Sequence, residues 1–94
     1  MTKSGFYTVV LDYKGGTYIG QAVGPSPKSA ILLWITGLSD HNLSAWKISR
    51  DDLNKIVLSD DALPLNGCKN VWCITGSVKN DLVLINAIAT EDDH

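Results

Sequence analysis

The chain begins and ends with a pair of strand-like segments, and within each pair only a short turn separates the two segments. Residues 6–13 and 17–23 are rich in β-branched and aromatic side chains, and two glycines lie in the turn between them. Residues 70–78 and 82–89 flank a second, polar turn. Because glycine readily takes the positive φ of a tight hairpin, the first pair predicts a β-hairpin, and the second pair repeats the arrangement. Hairpins of this kind build an antiparallel sheet.

Two helices are predicted between the hairpins. Ser26 is a good N-cap and the proline after it suits the first helical position, so we expect a helix over residues 27–36 or 27–38. Ser49 is a second N-cap, with an aspartate three residues later, and it predicts a short helix that ends near Leu58. The first of these helices has almost no polar face.

The remaining segments are polar or irregular. Residues 39–42 and 59–67 are predicted to be loops, and residues 43–48 a short strand or an extended connector. The predicted architecture is an α+β two-layer sandwich, in which an antiparallel sheet of about four strands carries two helices on one face. The expected element order is ββα-(β)-αββ.

Length and charge limit the class of protein. The 94 residues are expected to form a single domain, residues 1–94, with frayed tails at 1–4 and 91–94. Eight Lys and Arg against ten Asp and Glu give a net charge of −2, the opposite of a basic nucleic-acid module, so no direct nucleic-acid partner is expected. No apolar run has the roughly 20 residues of a membrane helix, and the N-terminus lacks the pattern of a signal peptide. The predicted location is the cytoplasm, with no membrane partner.

Residues with catalytic or metal-binding chemistry are sparse. Cys68 and Cys73 are too few for a disulfide framework or a zinc site, so we expect two free thiols in a reducing compartment. His41 and His94 adjoin no nucleophile motif. The adjacent aspartates at 51–52 suit a helix N-terminus. We therefore predict no catalytic residue, no metal ligand and no cofactor.

One acidic residue, Asp12, lies near the end of the first strand and precedes the glycine turn. This strand–acid–hairpin pattern resembles the opening of the RNase H-like fold, whose nucleases hold metal ions with further carboxylates, one of them on the first helix. The helix here has no acidic residue, which argues against an active metal nuclease. With Pro27 and Ala30 opening the helix, residues 7–38 also resemble the HicB-type antitoxin domain, a degenerate RNase H-like module. That resemblance implies a role without catalysis, although the second half of the chain departs from the pattern.

A surplus of apolar side chains predicts a protein–protein interface. A helix that lies on a sheet buries one stripe of its surface, so Leu32 and Leu33, beside that stripe, are expected to point sideways or outward. The last strand is apolar on both faces, and Val83 and Ile85 are predicted to lie on the open sheet face. Trp46 is either a core residue or a binding anchor. These residues form the predicted partner-binding set, serving a two-fold homodimer or a tight complex with another protein.

Three classes of function follow from these observations. The first is a non-catalytic, small intracellular protein-interaction module, for which an inhibitor of the antitoxin or immunity type is one form. The alternative is a small-molecule-binding or regulatory domain with a cavity between sheet and helix. The second alternative is an acid-dependent hydrolase that uses Asp12 with Asp60 or Asp61, which requires these carboxylates to meet in space.

Overall fold

The computed structural model describes residues 5–65, 67 and 69–90. The expected tails and Cys68 lie outside these residues. Within them, five strands and three helices follow one another along the chain. They are β1 (Gly5–Tyr13), β2 (Gly16–Gly24), α1 (Pro27–Gly37), α2 (Asp40–Trp46), α3 (Arg50–Ser59), β3 (Leu63–Pro64), β4 (Val71–Val78) and β5 (Asp81–Ala89). The α+β class is confirmed, but the described residues contain one strand and one helix more than the sequence predicted.

The strands form one antiparallel sheet in the order β2-β1-β5-β4-β3. The first strand, β1, pairs with β2 on one side and with β5 on the other, so the two predicted hairpins join through their first and last strands. Tyr13, for example, lies opposite Gly16 and Val83. As a result β5, the most apolar segment, is the middle strand of the sheet.

Both hairpin turns contain two residues in the left-handed region of φ. They are Lys14 and Gly15 (φ 49° and 78°) in the first turn, and Lys79 and Asn80 (φ 50° and 70°) in the second. Two successive residues with positive φ are typical of a type I′ turn, whose twist matches that of the flanking strands. The second turn achieves this without glycine, because asparagine tolerates the left-handed conformation better than most residues.

Substitution of Asn80 tests this turn. Asn80→Ala is expected to lower the free energy of unfolding by about 1 kcal/mol, because alanine lacks asparagine's tolerance of positive φ. Asn80→Gly is expected to raise it by about 0.5 kcal/mol, since glycine is preferred at the second central position. Urea denaturation followed by circular dichroism measures both changes. Equal stabilities of the two variants would contradict the assigned turn.

The helices pack on one face of the sheet, and two glycines make the closest approaches. A Cβ built on Gly20 of β2 would lie 2.6 Å from Cδ1 of Trp34 on α1. A Cβ built on Gly76 of β4 would lie 2.8 Å from Cγ1 of Ile56 on α3. Both contacts are on the same face of the sheet, and Gly20 pairs in regular register with Val9. Gly20 is therefore a site of close helix packing within a regularly paired strand.

Side-chain hydrogen bonds fix the ends of the helices. Ser26 and Ser49 are the N-caps of α1 and α3, as predicted, and Ser49 Oγ accepts from the backbone N–H of Asp52 at 3.0 Å. Arg50, at the start of α3, donates to the backbone carbonyls of Ile35 and Leu38 at the end of α1. A guanidinium group at a helix C-terminus satisfies carbonyls that have no partner within the helix. Arg50 thus joins α1 to α3.

Two predicted irregular segments are regular in the structure. Residues 39–48 were expected to be a loop followed by a strand or connector, but α2 occupies them, with Ser39 Oγ accepting from the N–H of Asn42 at 3.1 Å. The helix ends at Lys47, whose φ is 61°. The predicted loop at 59–67 contains β3, which pairs only with the beginning of β4. Its proline lacks an N–H, which an edge strand tolerates. No helix within the described residues is long and apolar enough to cross a membrane.

Candidate functional site

The two faces of the sheet are covered very differently. Odd-numbered residues of β1 and β5 and even-numbered residues of β2 and β4 point toward the helices. The opposite residues of these strands, together with Leu63 of β3, point away from every helix that the structure describes. We call this second surface the open face. A sheet with one uncovered face usually presents polar side chains to solvent there.

The open face instead carries nine apolar side chains among its described residues, interspersed with polar ones such as Thr8, Gln21, Asn86 and Ser77. Its apolar side chains are those of Phe6, Val10, Ile19, Val23, Leu63, Val71, Leu82, Leu84 and Ile88. Ile19 and Leu63, on the two outer strands, are 67% and 65% exposed. Asp12 is the single charged side chain on this face in the part of the chain that the structure describes, and its Oδ1 accepts a 2.6 Å hydrogen bond from Oγ1 of Thr17 on the neighbouring strand. An exposed surface with this number of apolar side chains is typical of a binding site.

The predicted placement of Val83 and Ile85 on the open sheet face is wrong. Both side chains are fully buried among the helix-facing residues of the sheet. Because side chains alternate along a strand, the neighbouring residues Leu82 and Leu84 lie on the open face in their place. The sequence of β5 identifies two apolar faces but does not say which one the helices cover.

The other predicted contact residues do not lie on the open face. Leu33 is 54% exposed on α1, as predicted, whereas Leu32 is partly buried against the core. Trp46 is also partly buried, and its ring stacks on Tyr18 at a centroid distance of 4.1 Å. Since α1 and the open face are on opposite sides of the sheet, Leu33 and the open face do not form one continuous surface. A single interface built from both is therefore ruled out.

The candidate acidic residues are not brought together. Asp12 is on the open face of β1, whereas Asp60 and Asp61 follow α3 and lie beside Cys73 of β4. The middle strand β5 separates β1 from β4. Among the described residues, no three His, Cys, Asp or Glu side chains come close enough to hold a metal ion. The acid-dependent hydrolase therefore gains no support from this arrangement.

A groove lies at the β3 end of the open face. Its volume is about 520 Å³, within the usual range of ligand pockets. Its lining residues are Asp60, Asp61, Leu63, Pro64, Leu65, Cys73 and Thr75. The groove exists because β3 is only two residues long and leaves most of the outer edge of β4 uncovered. It is thus at the edge of the sheet and not between the sheet and a helix.

The thiol in this groove is poorly suited to catalysis. Cys73 is free and half-buried, and burial raises the pKa of its thiol above the ordinary value. A raised pKa reduces the fraction of thiolate, which is the nucleophilic form, at neutral pH. Cys68, the other predicted free thiol, lies outside the described residues.

Alkylation kinetics test the state of Cys73. In a Cys68→Ser variant at pH 7.5, iodoacetamide is expected to modify the folded protein several-fold more slowly than the urea-unfolded chain. The rate should increase as the pH is raised toward the elevated pKa, because the thiolate forms only there. Mass spectrometry counts the added groups. Faster modification of the folded protein would show an activated thiolate and contradict this description.

Comparisons of the chain with protein-family models, curated proteins and solved structures gave no match.

Proposed function

We propose that this protein is a non-catalytic protein-interaction module, and that the open face of its sheet is the surface that binds the partner protein. The helices occupy the other face in the two-layer arrangement that the sequence suggests. One form of such a module is an inhibitor of the antitoxin or immunity type, to which the HicB-like resemblance of residues 7–38 points. Another form is a module that pairs through this face with a second copy of itself. Such a protein acts by covering a partner and needs no reactive group of its own.

The observation that carries this proposal is the apolar character of the open face. Val10, Leu84 and Ile88 are only half-buried there, although they lie on the two central strands. Apolar surface that remains in contact with water in the free protein contributes to affinity when a partner covers it. Among the described residues of the open face only Asp12 is charged, so a largely uncharged partner surface would complement it.

The proposal is tested by recovering the proteins that bind to this chain in cells of the source organism, with a matched pair of variants for comparison. Leu84→Lys places a charge on the open face, while Leu58→Lys places the same charge at a 64% exposed site on α3. We expect a stoichiometric protein partner, identified by mass spectrometry, to be recovered with the wild type and Leu58→Lys and to be lost with Leu84→Lys. Equal recovery with all three proteins would contradict the proposal.

The groove supports a second candidate function, the binding of a small molecule. Asp60 and Asp61 give its rim a negative charge, and Leu63 and Leu65 supply apolar walls, which together suit a small organic cation. Titration with 1,4-diaminobutane, followed by the amide resonances of Thr75, tests this function. Saturable shifts that Asp61→Asn weakens would support it, and unchanged resonances would reject it for this class of ligand.

A further inference from the structure

One row of side chains crosses the entire open face. Ile19, Val10, Asn86, Cys73 and Leu63 lie opposite one another on the five successive strands from β2 to β3. Asn86 is at the centre of this row, on the middle strand, and it is half-buried. Its amide makes no hydrogen bond with any side chain of the described residues. Because this amide is half-exposed and not tied to another side chain of the described residues, its donor and its acceptor are free to bond across an interface.

We infer that the partner is a second copy of this chain, related to the first by a two-fold axis that runs along β5 through Asn86. The inference rests on the proposed function of the open face. A two-fold axis brings the residue on the axis against its own copy. Each Asn86 amide then donates to and accepts from the other, so that both are satisfied. A buried asparagine pair of this kind also fixes the register of coiled-coil dimers.

The same two-fold rotation brings the two ends of this row of side chains, Ile19 and Leu63, together across the interface. An axis along the middle strand places β2 of one copy over β3 of the other, because these strands are at opposite edges of the sheet. The exposed side chain of Ile19 then faces the groove of about 520 Å³ beside Leu63 and Cys73. The exposed Ile19 side chain of each copy thus meets the groove of the other, and this contact occurs twice in the dimer.

The charge and the area of the open face are both compatible with the pairing of two copies. Asp12, the single charged open-face residue within 5–65, 67 and 69–90, lies off the central row, so these residues bring no pair of like charges together on the axis. Four strands spaced about 4.8 Å apart, each with about eight residues, give a footprint of roughly 500 Å² per copy. Two such footprints reach about 1,000 Å², the area at which a specific interface becomes credible.

Sedimentation equilibrium on the purified protein tests the inference. From 1 to 100 µM at pH 7, the wild type is expected to show the mass of two chains, and so is the control Leu58→Lys. Asn86→Asp is expected to weaken dimerisation at least tenfold at pH 7, because two carboxylates face each other across the axis. At pH 4 that variant should regain dimers, since a protonated carboxyl group again donates and accepts. A single-chain mass of the wild type, or a pH-independent dimer of Asn86→Asp, would overturn the inference.

Disulfide trapping tests the direction of the axis. In a background of Cys68→Ser and Cys73→Ser, an Ile19→Cys chain mixed with a Leu63→Cys chain is expected to form a mixed disulfide under mild oxidation. Rapid crosslinking of Ile19→Cys with itself would place the axis across the strands and overturn this assignment. A monomeric wild type that still loses a different partner in Leu84→Lys would reject the homodimer and leave the proposed function standing.

Discussion

Replacing Gly20 with alanine is expected to lower the free energy of unfolding by about 3 kcal/mol, a large part of the stability of a small domain. The added Cβ overlaps the indole of Trp34, which is only 9% exposed and held between α1 and the sheet. A ring enclosed in this way cannot move aside without disturbing the contact of α1 with β2. Gly37→Ala is the matched control, because a Cβ there meets no atom within 4 Å. That change is expected to be neutral or slightly stabilising.

A double-mutant cycle identifies the source of the loss. Trp34→Leu alone removes a large buried ring and is expected to cost about 3 kcal/mol. In the Gly20→Ala background it should cost much less, since the smaller side chain makes room for the methyl group. Urea denaturation monitored by circular dichroism at 222 nm gives all four stabilities without relying on tryptophan fluorescence. Strictly additive losses would show that Gly20 does not act through Trp34.

A lysine at position 85 is expected to abolish folding, whereas a lysine at position 84 leaves the stability of the single folded chain, apart from any gain from association, within about 1 kcal/mol of the wild type. Ile85 is fully buried under the helices, and a charge introduced there has no partner. Leu84 faces the opposite way and lies beside Asp12 on the neighbouring strand, so that Leu84→Lys gains a cross-strand ion pair. The free energies of unfolding of the two lysine variants thus differ by more than about 4 kcal/mol, although their positions are adjacent on one strand.

Circular dichroism and urea denaturation compare the two lysine variants with each other by whether a native spectrum and a cooperative transition are present, because the stability of the wild type includes any contribution from association. The expected result is a native spectrum for Leu84→Lys and no cooperative transition for Ile85→Lys. The reverse outcome would show that the helices cover the other face of β5. It would restore Val83 and Ile85 as surface residues and remove the open face described here.

Local patterns in the sequence were sufficient to predict most elements of this fold. The two hairpins, the N-caps Ser26 and Ser49, and α1 and α3 follow from period-two and helical spacing and from capping chemistry. The sequence also contains a signal for α2, because Ser39 is a suitable N-cap. Its Oγ accepts a hydrogen bond from the backbone N–H of Asn42, three residues later. The same segment is short and contains Trp46, a residue type that is common in strands, so the local pattern is also compatible with an extended backbone.

The candidate site depends on information that local patterns do not contain. Along β5 both faces are apolar, so only the position of α1 and α3 in three dimensions decides that Ile85 is core and Leu84 is surface. A better indication lay in β2, where Gly20 alternates with Ile19 and Gln21. A residue without a side chain marks the face on which a helix packs closely, and Ile19 is therefore on the other face.

The most direct test of the open face as a docking surface is a photocrosslinking scan. Benzoylphenylalanine is placed at Ile19 and Val23 on the open face and at Leu33 and Leu58 on the helical side, all of which are more than half exposed. After irradiation in cells of the source organism, we expect a discrete crosslinked protein from Ile19 and Val23 and none from Leu33 and Leu58. A crosslink from Leu33 or Leu58 alone, or from none of the four positions, would contradict the docking surface that we propose.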